Sequence, residues 1–230
     1  MKSFQPIAIF AVLLLAAPFL GHAQDANLQK AYTQMDAAAA KFQDVQADIS
    51  VDNYTAVVQD HQIQKGSTAF RRGGSSIEMA MTLDKGQSGE RDILYKNGQL
   101  AYYQPVAKQE TILSAGANRA EYDSLLATGF GATSKDLISG WDVTFQGTEA
   151  IDGIQTAKLD LVPRLSNIRS NISKLTIWVD LTRDISLKQV MVQPDGDSRT
   201  VTYSNIRYNT HVSSSLFTLK VANGTQVQHR

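Results

Sequence analysis

The side chains that could do chemistry in this 230-residue chain are few. The four histidines are His22, His61, His211 and His229, and none stands at a metal-ligand spacing from another. The chain has no cysteine, so thiol chemistry, disulfides, the usual zinc patterns and a lipid-modified N-terminal cysteine are excluded. A Ser-His-Asp triad converges in space and leaves no spacing rule, but no Gly-x-Ser-x-Gly elbow marks a nucleophile. Enzymatic activity, a metal and a cofactor are therefore not expected. Asp180 and Asp184 lack the oxygen-rich spacing of a calcium loop and read as solvated turn residues. Arg71-Arg72 is too small a basic spot for a nucleic-acid footprint. What remains is apolar. Met35, Met79, Met81, Leu83, Ile93, Tyr95, Tyr102, Trp141 and Trp178 are soft or aromatic side chains suited to an adaptable hydrophobic pocket. Ordinary core packing accounts for the same residues.

The elements that must hold these residues can be read from periodicity. Gln24 to Val45 carries Leu28, Tyr32, Met35, Ala39 and Phe42 at spacings of three and four, which predicts an amphipathic helix with one face to pack. From Val45 the period becomes two. Val45, Ala47, Ile49 and Val51 alternate with polar residues, and Ile77, Met79, Met81 and Leu83 do the same between Gly66 and Val106. Gly73-Gly74, Lys85-Gly86 and Asn97-Gly98 punctuate that stretch as an antiparallel meander. Between Gly116 and Gly140, Tyr122, Leu125 and Leu126 predict a short helix. Gly129-Phe-Gly131 interrupts it, and Thr133 or Ser134 caps another short helix with Asp136 in its first turn. Such a segment between strand blocks is either a movable cover or a static plug. Strand patterns resume at Trp141–Phe145, Thr156–Leu161, Leu175–Val179, Ile185–Met191, Thr200–Tyr208 and Leu216–Leu219, the last before a polar tail. The sum is a mainly β single domain of about ten or eleven strands with helices at its start and middle.

Composition sets the compartment. Lys2, the apolar run from Ile7 to Ala17 and the small residues Gly21-His22-Ala23 predict a secretory signal peptide over 1–23, leaving residues 24–230 as the domain. Without Lys2 the 22 basic residues become 21 against 22 acidic ones. A net charge so near zero gives no electrostatic reason to expect nucleic acid or an anionic surface as the main partner.

The order of motifs resembles the LolA-like family, periplasmic carriers that move outer-membrane lipoproteins across the aqueous gap. The likeness rests on Gly66-x-x-x-Phe-Arg-Arg72, Asn97-Gly-x-Leu-x-Tyr-Tyr-x-Pro105, Leu159-x-Leu-x-Pro163, Leu175-Thr-Ile-Trp-Val-Asp180 and Leu216-Phe-Thr-Leu219 with Asn223-Gly224 beyond. It implies an unclosed, curved half-barrel with helices as a lid on its concave side and acyl chains between them. Phe42, Leu125, Leu126 and Phe130 then join the candidates for the cavity wall. It also implies acylated lipoproteins or lipids as cargo, and an inner-membrane donor and outer-membrane acceptor as partners. A free-lipid binding protein or a non-enzymatic envelope adaptor remains the alternative. In the family an arginine at the end of the corresponding strand holds the lid; Arg72 matches it, with Arg71 as a register-shifted rival. The family's proline after that arginine is Gly73 here.

Overall fold

The computed structural model describes residues 20–73, 76–116 and 119–230; most of the expected leader, with Gly74 of the first expected turn, lies outside them. Helix α1 (Leu20–Ala39) is followed by β1 (Asp44–Thr55), β2 (Asp60–Gly73), β3 (Ser76–Leu83), β4 (Arg91–Lys96), β5 (Gln99–Gln104) and β6 (Gln109–Ser114). Helices α2 (Arg119–Ala127) and α3 (Ser134–Gly140) come next, then β7 (Trp141–Ile151), β8 (Ile154–Pro163) and the single turn α4 (Ser166–Arg169). The chain ends through β9 (Lys174–Asp180), β10 (Ile185–Val192), β11 (Ser198–Tyr208), a 3-10 turn at Ser214–Phe217 and β12 (Gln226–His229).

The twelve strands form one sheet in the order β12-β6-β5-β4-β3-β2-β1-β11-β10-β9-β8-β7, antiparallel except where β12 pairs parallel to β6. Strand β11 returns to pair with β1 and so joins the two meanders, while β12 and β7 remain as separate edges. The result is an unclosed, curved half-barrel with helices on its concave side. The strands approach closely at Gly66, where an added Cβ would stand 1.9 Å from the Thr82 carbonyl oxygen across the β2–β3 pair. Only a residue without a side chain fits there.

Three expectations are corrected. Helix α1 ends at Ala39 instead of Val45: the Phe42 N–H bonds back to Ala39 O, and from Asp44 the chain pairs with β2. The alternation of buried Val45, Ala47, Ile49 and Val51 belongs to the sheet, and that pairing ends the helix. Leu216–Leu219 is not a strand; Ser213 caps a 3-10 turn that buries Phe217 against the outer face. The last strand is instead Gln226–His229, whose exposed side chains gave no periodic signal because only its backbone pairs.

The core has two parts. Over β7–β9, Tyr32 and Met35 of α1 and Leu137 of α3 pack with Trp141, Leu159, Leu161, Ile177 and Val179. Met35, Leu159, Leu161, Ile177 and Val179 are fully buried, and burying each such side chain contributes about 1.5–3 kcal/mol. The other part gathers Val45 to Val51, Phe70, Met79, Leu83, Phe130, Ile185 and Tyr203. The first is filled by α1; the second is filled only in part.

Candidate functional site: an apolar cavity beneath a tethered lid

The lid is built from α2, α3 and the segment 128–132 between them. That segment is docked as if it were a further piece of strand. Phe130 bridges Ile185, the Ser186 N–H donates to Gly129 O at 2.6 Å, and the Gly131 N–H donates to Asp184 O at 3.0 Å. Gln189 Nε2 donates to Thr128 O at 3.1 Å. These bonds aim the Phe130 ring inward, where it stacks on Phe70 at 4.0 Å and meets Tyr203 edge-on at 5.1 Å. Gly131 takes a left-handed φ of 70°, and a Cβ there would fall 2.5 Å from the Phe42 ring.

Further ties hold the helices. Thr133 and Asp136 close a capping box at the start of α3, and Asp36 of α1 accepts from the Ser134 N–H and Oγ at 2.7 and 2.8 Å. The Tyr95 hydroxyl donates to Asp123 of α2. Burial first, and then the bond and charge of Asp123, push the Tyr95 pKa above the ordinary value of 10.0, so the phenol keeps its proton as the donor. Arg72 Nη2 donates to Gly131 O at 2.9 Å and to Ala39 O at 3.4 Å, joining the end of β2 to the lid and to the end of α1. Arg71 points the other way. It pairs with Glu78 at 2.6 Å, donates to Ser214 Oγ and lies 4.2 Å over Phe217, pinning the 3-10 turn to the convex face.

Between α2 and the concave sheet lies a cavity of about 400 Å³. Of the sequence candidates, Met79, Met81, Leu83, Ile93, Tyr102, Leu125 and Leu126 line it. Met35 and Trp141 lie in the packed part under α1, and Phe42, Tyr95 and Phe130 pack in the other cluster without lining the void. Trp178 requires a correction: it stands on the opposite face, donating to Glu149 Oε2 at 2.8 Å with Lys158 and Lys188 over its ring. It has the other parity from inward Leu175, Ile177 and Val179. Asp180 and Asp184 are corrected as well, being 4% and 0% exposed, not solvated. The Asp180 carboxylate accepts from the Thr182 N–H and from Arg183 Nε, while the Asp184 carboxyl oxygens find no hydrogen-bond partner among the described residues.

Sequence reasoning missed Phe70, Gln64, Gln189, Met191, Val201, Tyr203, Arg91 and Arg199, all of which line the cavity. The signal was available in part: Arg91, Ile93 and Tyr95 share one parity of β4, and Arg199, Val201 and Tyr203 share one parity of β11. Among the described residues, no three His, Cys, Asp or Glu side chains gather to hold a metal, and no helix is long and apolar enough to cross a membrane.

A curved half-barrel with helices over an apolar void is the architecture that the sequence resemblance implied. Comparison with protein-family models and with curated proteins finds no match. Among solved structures, an uncharacterized conserved protein from Thermus thermophilus is similar over 89% of this chain and 99% of its own, with a TM-score of 0.52 at 10% identity. A chain of the Pseudomonas aeruginosa MucA/MucB complex is similar over 83% of this chain and 61% of its own, with a TM-score of 0.50 at 13% identity. A LolA superfamily protein from Nitrosomonas europaea is similar over 83% and 97%, with a TM-score of 0.41 at 13% identity. At such identities the likeness concerns the fold.

Proposed function

We propose that this protein is a periplasmic carrier that shelters the acyl chains of lipoproteins or lipids and ferries them toward the outer membrane. The observation that carries this reading is the apolar cavity between the lid and the concave sheet. An acyl chain in water costs about 0.8 kcal/mol per methylene, so a dry void shields cargo without any reaction. Release must also be possible. Phe130, held between Phe70 and Tyr203, occupies apolar surface that a longer or bulkier load would contest, so closure and loading compete for the same wall. Arg72 acts as the latch that favours closure.

The test is mass spectrometry of protein purified from a periplasm without detergent, comparing intact complexes with an organic extract. A stoichiometric acylated species supports carriage, and its mass separates lipoprotein from free lipid. The protein mass also reads the leader: residues 24–230 alone are expected. A second reading, a non-enzymatic envelope adaptor, draws on the MucA/MucB complex, in which a chain of this fold is found with a protein partner. A cargo-free protein that also refuses added acyl ligands would favour that reading.

A further inference from the structure

The cavity is apolar along its walls and cationic at one end. Strands β4, β3, β2, β1 and β11 are successive antiparallel neighbours, so β4 and β11 run in the same direction. Each carries an inward-facing arginine at or next to its first residue, and those residues, Arg91 and Arg199, both line the cavity. The topology thus brings two guanidinium groups to one end of the void. Neutral amides connect them. Arg91 Nη1 donates to Gln64 Oε1 at 3.4 Å, Asn53 Nδ2 donates to the same oxygen at 3.3 Å, and Arg199 Nε donates to Asn53 Oδ1 at 2.8 Å.

No carboxylate among the described residues makes an ion pair with either arginine, whereas Arg71, Arg119, Arg164 and Arg183 each have one. Asp84 reaches this network only through Gln64 Nε2, at 2.7 Å. Loss of water around Arg199, and then the charge of Arg91, lower its pKa from the ordinary guanidinium range, consistent with two like charges left uncompensated. Guanidinium forks bind oxyanions through paired, charge-assisted hydrogen bonds. The void behind them is narrow in capacity. A water-sized unit takes about 30 Å³, and a methylene is of similar size, so the cavity holds roughly a dozen methylenes, the length of one chain.

We propose that the cavity takes a single-chain acyl amphiphile with an oxyanion head, the head bound between Arg91 and Arg199 and the chain running inward toward Met81 and Val201. This rests on the carrier reading and names the chemistry of its cargo. The head is part of a lipid and not a free anion, because the apolar wall begins directly behind the arginines.

Titration of the delipidated protein at low salt with dodecanoate, dodecyl phosphate, dodecanol and inorganic phosphate tests it. The two charged chains are expected to bind about tenfold or more tightly than the alcohol, the effect of one charge-assisted hydrogen bond or more. An Arg91→Gln/Arg199→Gln variant should keep the alcohol affinity, which also shows that it is folded, and lose the preference for charge. Equal affinity for alcohol and anions in the native protein overturns the oxyanion site and leaves the carrier standing. Failure of every chain to bind overturns the carrier reading itself. Inorganic phosphate binding as tightly as dodecyl phosphate would assign the arginines to a free anion and overturn the lipid head.

Discussion

Arg72 and Asp184 both bond to Gly131 of the lid, Arg72 through its guanidinium and Asp184 through its backbone carbonyl. Arg72 contributes hydrogen bonds from a charged donor that is itself partly open to water, so Arg72→Leu is expected to cost about 1 kcal/mol locally. Amide exchange across 128–132 should accelerate roughly fivefold, and cargo release should slow because the competing closed state is weakened. Unchanged exchange in that variant would leave the latch without support. Asp184 acts through its proton. Burial, and next the charge of Asp36, raise its pKa well above the ordinary 3.8, with Arg72 opposing and Asp136 adding. The folded state therefore holds this proton more tightly than the unfolded one. Its contribution is complete below the unfolded value and is lost progressively as pH rises through the window up to the folded one. Asp184→Asn keeps a residue tolerant of the left-handed φ of 53° and removes the titration. Thermal melts from about pH 4 upward should then fall less steeply than those of the native protein.

Among the elements, the lid is where sequence and structure differ most in what they disclose. Its helices and the Thr133 cap were legible because apolar spacing and capping chemistry are local signals. The docking of 128–132 onto β10 was not, since backbone bonds to a strand much later in the chain leave no trace in the segment's own pattern. The same division holds elsewhere. The inward face of β3 could be read from Ile77, Met79, Met81 and Leu83, whereas β12 could not, because none of its side chains is buried. Trp178 carries a legible signal of its own: its parity opposes that of its apolar neighbours Leu175, Ile177 and Val179, although its aromatic ring suggests a place in the wall. A prediction at this scale concerns Phe130. Phe130→Ala should destabilise the empty protein by about 3–5 kcal/mol through the space left between Phe70 and Tyr203. Added dodecanoate should then raise the melting temperature of the variant more than that of the native protein, because the chain refills the space. An equal rise in both would show that cargo does not reach that wall.

For the molecule as a whole, one sheet serves two purposes. Its β7–β9 part is packed solid beneath α1, and the part from β3 to β5 and from β10 to β11 is left open beneath α2. An unclosed sheet also has edges to protect. At one of them β12 covers β6 with backbone bonds from Gln226 to His229. Removing residues 226–230 should expose that edge and produce concentration-dependent association, read by sedimentation, whereas a monomer at all concentrations would show β12 to be dispensable as a cover. The partition of the sheet has an optical consequence. Both tryptophans, Trp141 under α1 and Trp178 on the convex face, belong to the solid part, while Tyr102 and Tyr203 line the void. Indole emission in this protein is thus expected to gauge whether the scaffold is intact, and the proposed carriage predicts that loading registers in phenol absorbance instead.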